Sequence, residues 1–264
     1  MNVTNLTYAL SLNITHTTDK YSPEILHSTI NYYNALNNNN IFFTWGKDSA
    51  SRISKLRNKL DNIIIAGFPY RNKNLYNFQK NNLDLNPNLF GEKKIKLTLL
   101  LLDDNSGKNI HYIGHQLIIN EVIENFYKSF FDLLLENEEI ALIIKSKKFE
   151  IFEKHPILKK YQSIVENSKR CKIVSNPTGK MPSNYALYAD FAIAINVALP
   201  SALIECVING SRGIIYDYAN LKTTEKELYS FGQNKIIFPD LKKLILCLKD
   251  FKNNPVKNNK LGNW

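Results

Sequence analysis

Glu205 is the one charged residue in the apolar run "ALIECVI" at residues 202–208, four positions after Ser201. Pro200 and Ser201 read as the opening of a helix that follows the apolar strand "DFAIAIN". The first turn of a helix carries free N–H groups and the positive end of its dipole, so it favours an anion. Ser201 and Glu205 would then stand together at a strand end, with Glu205 one turn in and on the face of Ser201. A carboxylate accepts hydrogen bonds in pairs, which suits two vicinal hydroxyls of a ribose. Burying it without such partners costs several kcal/mol (about 2–7 for a neutral group, more for a charge). The plainer reading is that Glu205 pairs with a nearby lysine or with Arg212, or simply meets solvent.

Two other strand ends carry polar residues. "ALII" runs into "KSKK", residues 145–148. Lys145 and Lys147 there would meet phosphate groups, although a lysine run is more often a solvated face. "KLTLLLL" runs into "DDNSGKN", in which Asp103, Asp104 and Ser106 form a small polar loop around Gly107. Such a loop wraps a ligand or serves as an ordinary strand-to-helix connection with a capping Asp103 or Asn105. His111 and His115 lie four apart at a possible helix start with no third ligand, so a metal site is not expected. His155 in "EKHP" reads as helix-turn material. The glycine fingerprints of dinucleotide and P-loop sites, and the nucleophile elbow, are absent from the sequence.

These residues need a frame, and the apolar runs supply one. "NIFFTWG" and "NIIIAGFPY" read as strands in the first part of the chain, with a helix over "SASRISKLRNKL" between them. From residue 94 onward, strands are expected at "KIKLTLLLLDD", "IALIIKSKK", "CKIVSN", "DFAIAIN", "GIIYDY" and "NKIIF". Helices are expected at "QLIINEVIENFYKSFFDLLLEN", "FEIFEKHPILKKYQSIVENS" (broken or restarted at Pro156), "MPSNYALYA" and "PDLKKLILCLKDF". This alternation predicts an α/β fold of Rossmann-like parallel sheet with right-handed crossovers, about six strands within residues 94–250. Residues 1–92 read as a partial lobe and 93–264 as a complete one.

The 264 residues are 44% hydrophobic, enough for a packed core, and the formal net charge is +10. A basic surface draws phosphorylated small molecules, anionic lipid or nucleic acid. Nucleic-acid binding has little support, because no aromatic-interleaved basic motif occurs. Three cysteines without metal spacing, and an N-terminus without a basic region leading an apolar stretch, fit a reduced cytoplasmic setting. No apolar run is long enough to span a bilayer.

The stretch "YADFAIAINVALPSALIECVINGSRGIIYDY" resembles the C-terminal half of GT-B glycosyltransferases. More narrowly, the chain is similar to bacterial surface-carbohydrate (lipopolysaccharide or capsule) biosynthesis proteins. "G-x-P" at residues 67–69, the Asp103–Ser106 loop, "LIIKSKK" at residues 142–148 and the closing "LGNW" carry that likeness in order and spacing. The resemblance covers roughly residues 40–264. It implies a two-lobed GT-B architecture with a short or incomplete N-terminal lobe on the acceptor side. It implies a metal-independent transfer of sugar from a nucleotide-sugar donor to a saccharide or lipid-linked acceptor, with no cofactor. Ser201, Ala202 and Glu205 would contact the donor's phosphate and ribose, Lys145 and Lys147 its phosphate, and the loop of Asp103, Asp104 and Ser106 would face the interlobe cleft. The catalytic base is not identified. The setting would be cytoplasmic, peripheral to the inner membrane through contact with anionic lipid. A sugar-nucleotide 2-epimerase of the same architecture and a noncatalytic degenerate module are the competing expectations.

Overall fold

The structure, a computed structural model, describes residues 42–44, 63–65, 89–91, 94–102, 111–113, 116–118, 120–146, 152, 155–174, 182–195, 201–220 and 226–264. The chain divides into two compact units, Met1–Lys73 and Asn74–Trp264. In the first unit, β1 (Phe42–Thr44) and β2 (Ile63–Ile65) pair in parallel, with Phe42 opposite Ile63. The helix expected over "SASRISKLRNKL" lies outside the described residues.

The second unit is an α/β layer structure. Its strands are β3 (Leu97–Leu102), β6 (Ile140–Lys145), β7 (Cys171–Val174), β8 (Phe191–Ala194), β9 (Arg212–Tyr216) and β10 (Ile237–Phe238). They form one parallel sheet in the order β10-β9-β8-β3-β6-β7. Counted from β3, the chain first builds outward to β7, then returns across β3 and builds outward to β10. That is the doubly wound arrangement, in which the chain reverses direction between β3 and β8.

Continuous apolar strands follow from this topology. Helices cover both faces, so both sides of each central strand must be apolar. All six residues of β3 are buried, as are all six of β6. Alternate side chains sort to opposite faces. Leu97, Leu99 and Leu101 meet α1 (Asn120–Glu136), α2 (Lys159–Asn167) and α6 (Leu241–Asn253). Leu100 and Leu102 meet α3 (Pro182–Ala186), α4 (Ser201–Ile208) and α5 (Lys226–Gly232).

Helix α1 turns Ile123, Phe126, Tyr127, Phe130, Phe131 and Leu134 inward at helical spacing. Phe126 stacks on Tyr216 of β9, and Phe131 on Phe152. The end of α1 is held by Arg170, whose Nη1 donates to the carbonyls of Asn137 and Ile140, each at 2.7 Å. Helix α2 follows a 3-10 turn at Pro156–Leu158, so Pro156 restarts the chain where a proline is tolerated.

Two expectations are corrected. The helix expected from residue 116 begins at Asn120. The residues before it form an antiparallel hairpin of β4 (His111–Ile113) and β5 (Gln116–Ile118), with His111 opposite Ile118. His111 therefore sits on a strand, not at a helix start. Helix α5 was not expected at all. Its polar sequence "KELYSFG" shows little periodicity, and the buried Tyr229 is what attaches it.

The last residues close the amino-terminal end of the sheet. Gly213 of β9 donates to the carbonyl of Gly262, and Gly262 donates to that of Lys235, both at 2.8 Å. The indole of Trp264 donates to the Gly213 carbonyl at 2.9 Å. Arg212 donates to the carbonyl of Leu261 at 2.8 Å and lies over the rings of Phe191 and Phe251. The chain can approach this closely only because residue 213 has no side chain. A Cβ there would collide with Val207 and stand 2.7 Å from the Trp264 indole nitrogen. Gly213→Ala is therefore expected to lower stability by about 1–3 kcal/mol, read as a lower urea midpoint. An unchanged midpoint would show that the tail is not seated on β9.

Candidate functional site

In an open parallel sheet the ligand edge is the carboxyl end of the strands, at the point where strand order reverses. Here that point is the pair β3 and β8. The residues that leave β3 (103–110) and those that leave β8 (196–200) lie outside the described set, and with them Asp103, Asp104 and Ser106. Lys147 is outside it as well. Lys145, Ser201, Ala202 and Glu205 are described, Ser201 by its place as the first residue of α4.

Lys145 ends β6 and is level with Leu102 of β3 and Val174 of β7. Strand alternation turns it to the face of Ala141 and Ile143, which is the face that carries α3 and α4. It is 6% exposed, and burial pushes its ammonium below the ordinary lysine range. A cation taken this far from water gains more from a neighbouring anion than a surface lysine would. Ser146, fully buried, continues the rim and donates its N–H to the Val174 carbonyl at 2.9 Å.

Helix α4 packs Leu203 and Cys206 onto the same face, both fully buried. Ala202 packs against that cluster, half-buried. The helix follows β8, which is separated from β6 by β3 alone. Neighbouring strands are about 4.8 Å apart, so the ends of β6 and β8 lie roughly 10 Å from each other. Lys145 and the start of α4 thus share one rim and one face of the sheet.

Glu205 is 5% exposed. Among the described residues its partner is neither a lysine nor Arg212, which is committed to the tail. The carboxylate accepts from the backbone N–H of Ser183 at 3.2 Å and, on the same oxygen, from the Ser183 hydroxyl. Ser183 lies in the first turn of α3, where N–H groups have no partner within the helix. Glu205 therefore caps α3 from the neighbouring helix, with a negative charge at the positive end of the helix dipole. That arrangement accounts for a glutamate inside an apolar helix. Burial pushes the Glu205 carboxyl above its usual range, and the two Ser183 donors offset part of the shift.

A second buried polar pair stands at the rim beyond β9. Asp217 is fully buried, donates its N–H to the Phe238 carbonyl at 2.8 Å, and accepts the hydroxyl of Tyr229 from α5. Burial, with the Asp217 carboxylate added, pushes the Tyr229 phenol far up. Ser183 and Tyr229 were not singled out in the sequence. The Pro-Ser-Asn opening of α3 signals a helix start, but nothing local identifies which carboxylate caps it. His155, fully buried, has Nδ1 3.4 Å from a Glu124 carboxylate oxygen, on the face away from α4. Among the described residues no three His, Cys, Asp or Glu side chains gather to hold a metal ion.

A raised carboxyl pKa means that the folded state holds the proton more tightly than the unfolded chain. Stability from this group is then full at low pH and declines as pH rises from 4.5, the ordinary value, through the raised one. Glu205→Gln removes that titration. Unfolding free energies of the parent and this variant are expected to diverge as pH rises through the window, the parent losing ground. Parallel curves would mean that Glu205 is not buried as described. Compared with protein-family models and with curated proteins, the chain finds no match.

Proposed function

We propose that the protein is a nucleotide-sugar-dependent glycosyltransferase of GT-B type that acts in bacterial lipopolysaccharide or capsule assembly. The observation that carries this reading is the shared rim: a buried lysine at the end of β6 and a helix start bearing Glu205 beyond β8, on either side of the strand-order reversal. A diphosphate needs fixed positive charge and N–H donors, and this rim offers both kinds. The ends of β6 and β8 are about 10 Å apart, which leaves a phosphate group room between them.

In this role Lys145 neutralises the phosphate charge that builds as the sugar departs, and no metal is required for that step. The start of α4 supplies backbone donors through Ser201 and Ala202. Lys147 and the loop with Asp103, Asp104 and Ser106 complete the donor side. The acceptor is a saccharide or lipid-linked chain, and the basic protein meets it at an anionic membrane surface from the cytoplasmic side. Residues 1–92 belong to the acceptor side in this reading.

The Glu205–Ser183 bond favours a second reading, because a carboxylate already engaged by α3 is less available to a ribose. In that reading the chain is a noncatalytic module with the same layered frame.

Titration calorimetry against UDP-, GDP- and CMP-sugars separates the two. One nucleotide class is expected to bind, and Lys145→Ala to weaken it at least tenfold, about 1.4 kcal/mol. Glu205→Ala weakens it too if the carboxylate turns to the ribose on binding. Binding without transfer to an acceptor or hydrolysis supports the module, and no binding to any of the three removes the glycosyltransferase reading.

A further inference from the structure

Residues 241–264 hold six lysines and one aspartate, half of the chain's formal charge of +10 in 24 of its 264 residues. Four of those lysines, Lys242, Lys243, Lys257 and Lys260, are exposed and make no side-chain ion pair or hydrogen bond among the described residues. The same segment holds Leu246 and Val256, 64% and 86% exposed, which are the most exposed large apolar residues among those described. On α6 the neighbours of Leu246 at helical spacing are Lys242, Lys243, Lys249 and Asp250. A protruding leucine is thus ringed mainly by ammonium groups, and the turn after the helix repeats the pattern with Val256 beside Lys257.

From this we infer that the outward side of α6 and the turn after it form a docking surface for an anionic lipid bilayer. Charge decides among the occupants. Residues 1–73 carry eight lysines and arginines against four acidic residues, so that part of the chain offers no charge complementary to this surface. A second copy would set lysine against lysine. Nucleic acid would use stacking aromatics, but Phe251 is buried and the Trp264 indole is bonded to Gly213. An anionic membrane takes both components: lysines meet the headgroups, and Leu246 and Val256 enter the acyl boundary. Helix α6 starts just after β10, at the carboxyl rim of the sheet and on the face opposite Lys145. This names the surface for the membrane contact in the preceding proposal and rests on that part of it.

The test is co-sedimentation of the full chain with vesicles of phosphatidylcholine alone or with 30% phosphatidylglycerol. Partitioning is expected to be at least tenfold stronger on the anionic vesicles and to fall as salt rises. The charge reversals K242E, K243E, K257E and K260E together are expected to abolish that difference. Acidic residues in the first turn favour a helix, and unchanged circular dichroism would show that α6 persists. L246S alone should weaken binding several-fold. K145A, which is expected to lose nucleotide-sugar binding, should still partition onto anionic vesicles, so loss of the donor reading is separable from loss of this one. Equal binding to both vesicle types, or undiminished binding by the fourfold variant, overturns the inference. So does preference for a single-stranded oligonucleotide over anionic vesicles.

Discussion

A carboxylate buried in a helix that packs on a sheet must find donors, and Glu205 finds two in one residue of the next helix. That bond ties together α3 and α4, which also pack apolar side chains on the face of Leu100, Leu102 and Ile143. Without it the Ser183 N–H and hydroxyl would lose their acceptor, at a cost of about 1–3 kcal/mol each. The position of the α4 first turn relative to Lys145 depends on this tie, because α3 covers β3 and β6 while α4 covers β8 and β9. The candidate site is therefore built across a seam between two helices, and a single acidic side chain holds the seam.

The sheet supplies the other half of that geometry. Strand β3 is paired on both sides and covered on both faces, so it has no freedom to shift register. Its neighbours β6 and β8 inherit a fixed height, which sets Lys145 and the exit toward α4 level with each other. No helix among the described residues is long and apolar enough to cross a membrane.

The long apolar runs were legible in the sequence because parallel strands buried on both faces must be apolar throughout. Leu97–Leu102 and Ile140–Lys145 are such runs, and their alternation with helical patterns was enough to indicate the layered sheet. The β4–β5 hairpin was not legible. Its two three-residue strands are too short for a period to register, and the apolar residues of "QLII" also fit the helix that follows them. Helix α5 escaped for the opposite reason, since it is held by one tyrosine rather than by an apolar stripe. At the site, the spacing of Ser201 and Glu205 and the place of Lys145 were readable from local sequence. The Ser183 partner was not, because it lies 22 residues away and is chosen by packing. Asp103, Asp104, Ser106 and Lys147 fall outside the described residues.

The seating of Gly262 and Trp264 on β9 also orders events during synthesis. The contact between the Trp264 indole and Gly213 spans 51 residues, so β9 is made long before the chain that completes its lower edge. Closing a loop of that size carries an entropic cost that nearby contacts do not. Until those residues leave the ribosome, the start of β9 presents an unsatisfied N–H and carbonyl. A chain that lacks residues 262–264 would leave that border of β9 open, with the N–H and carbonyl of Gly213 without these partners.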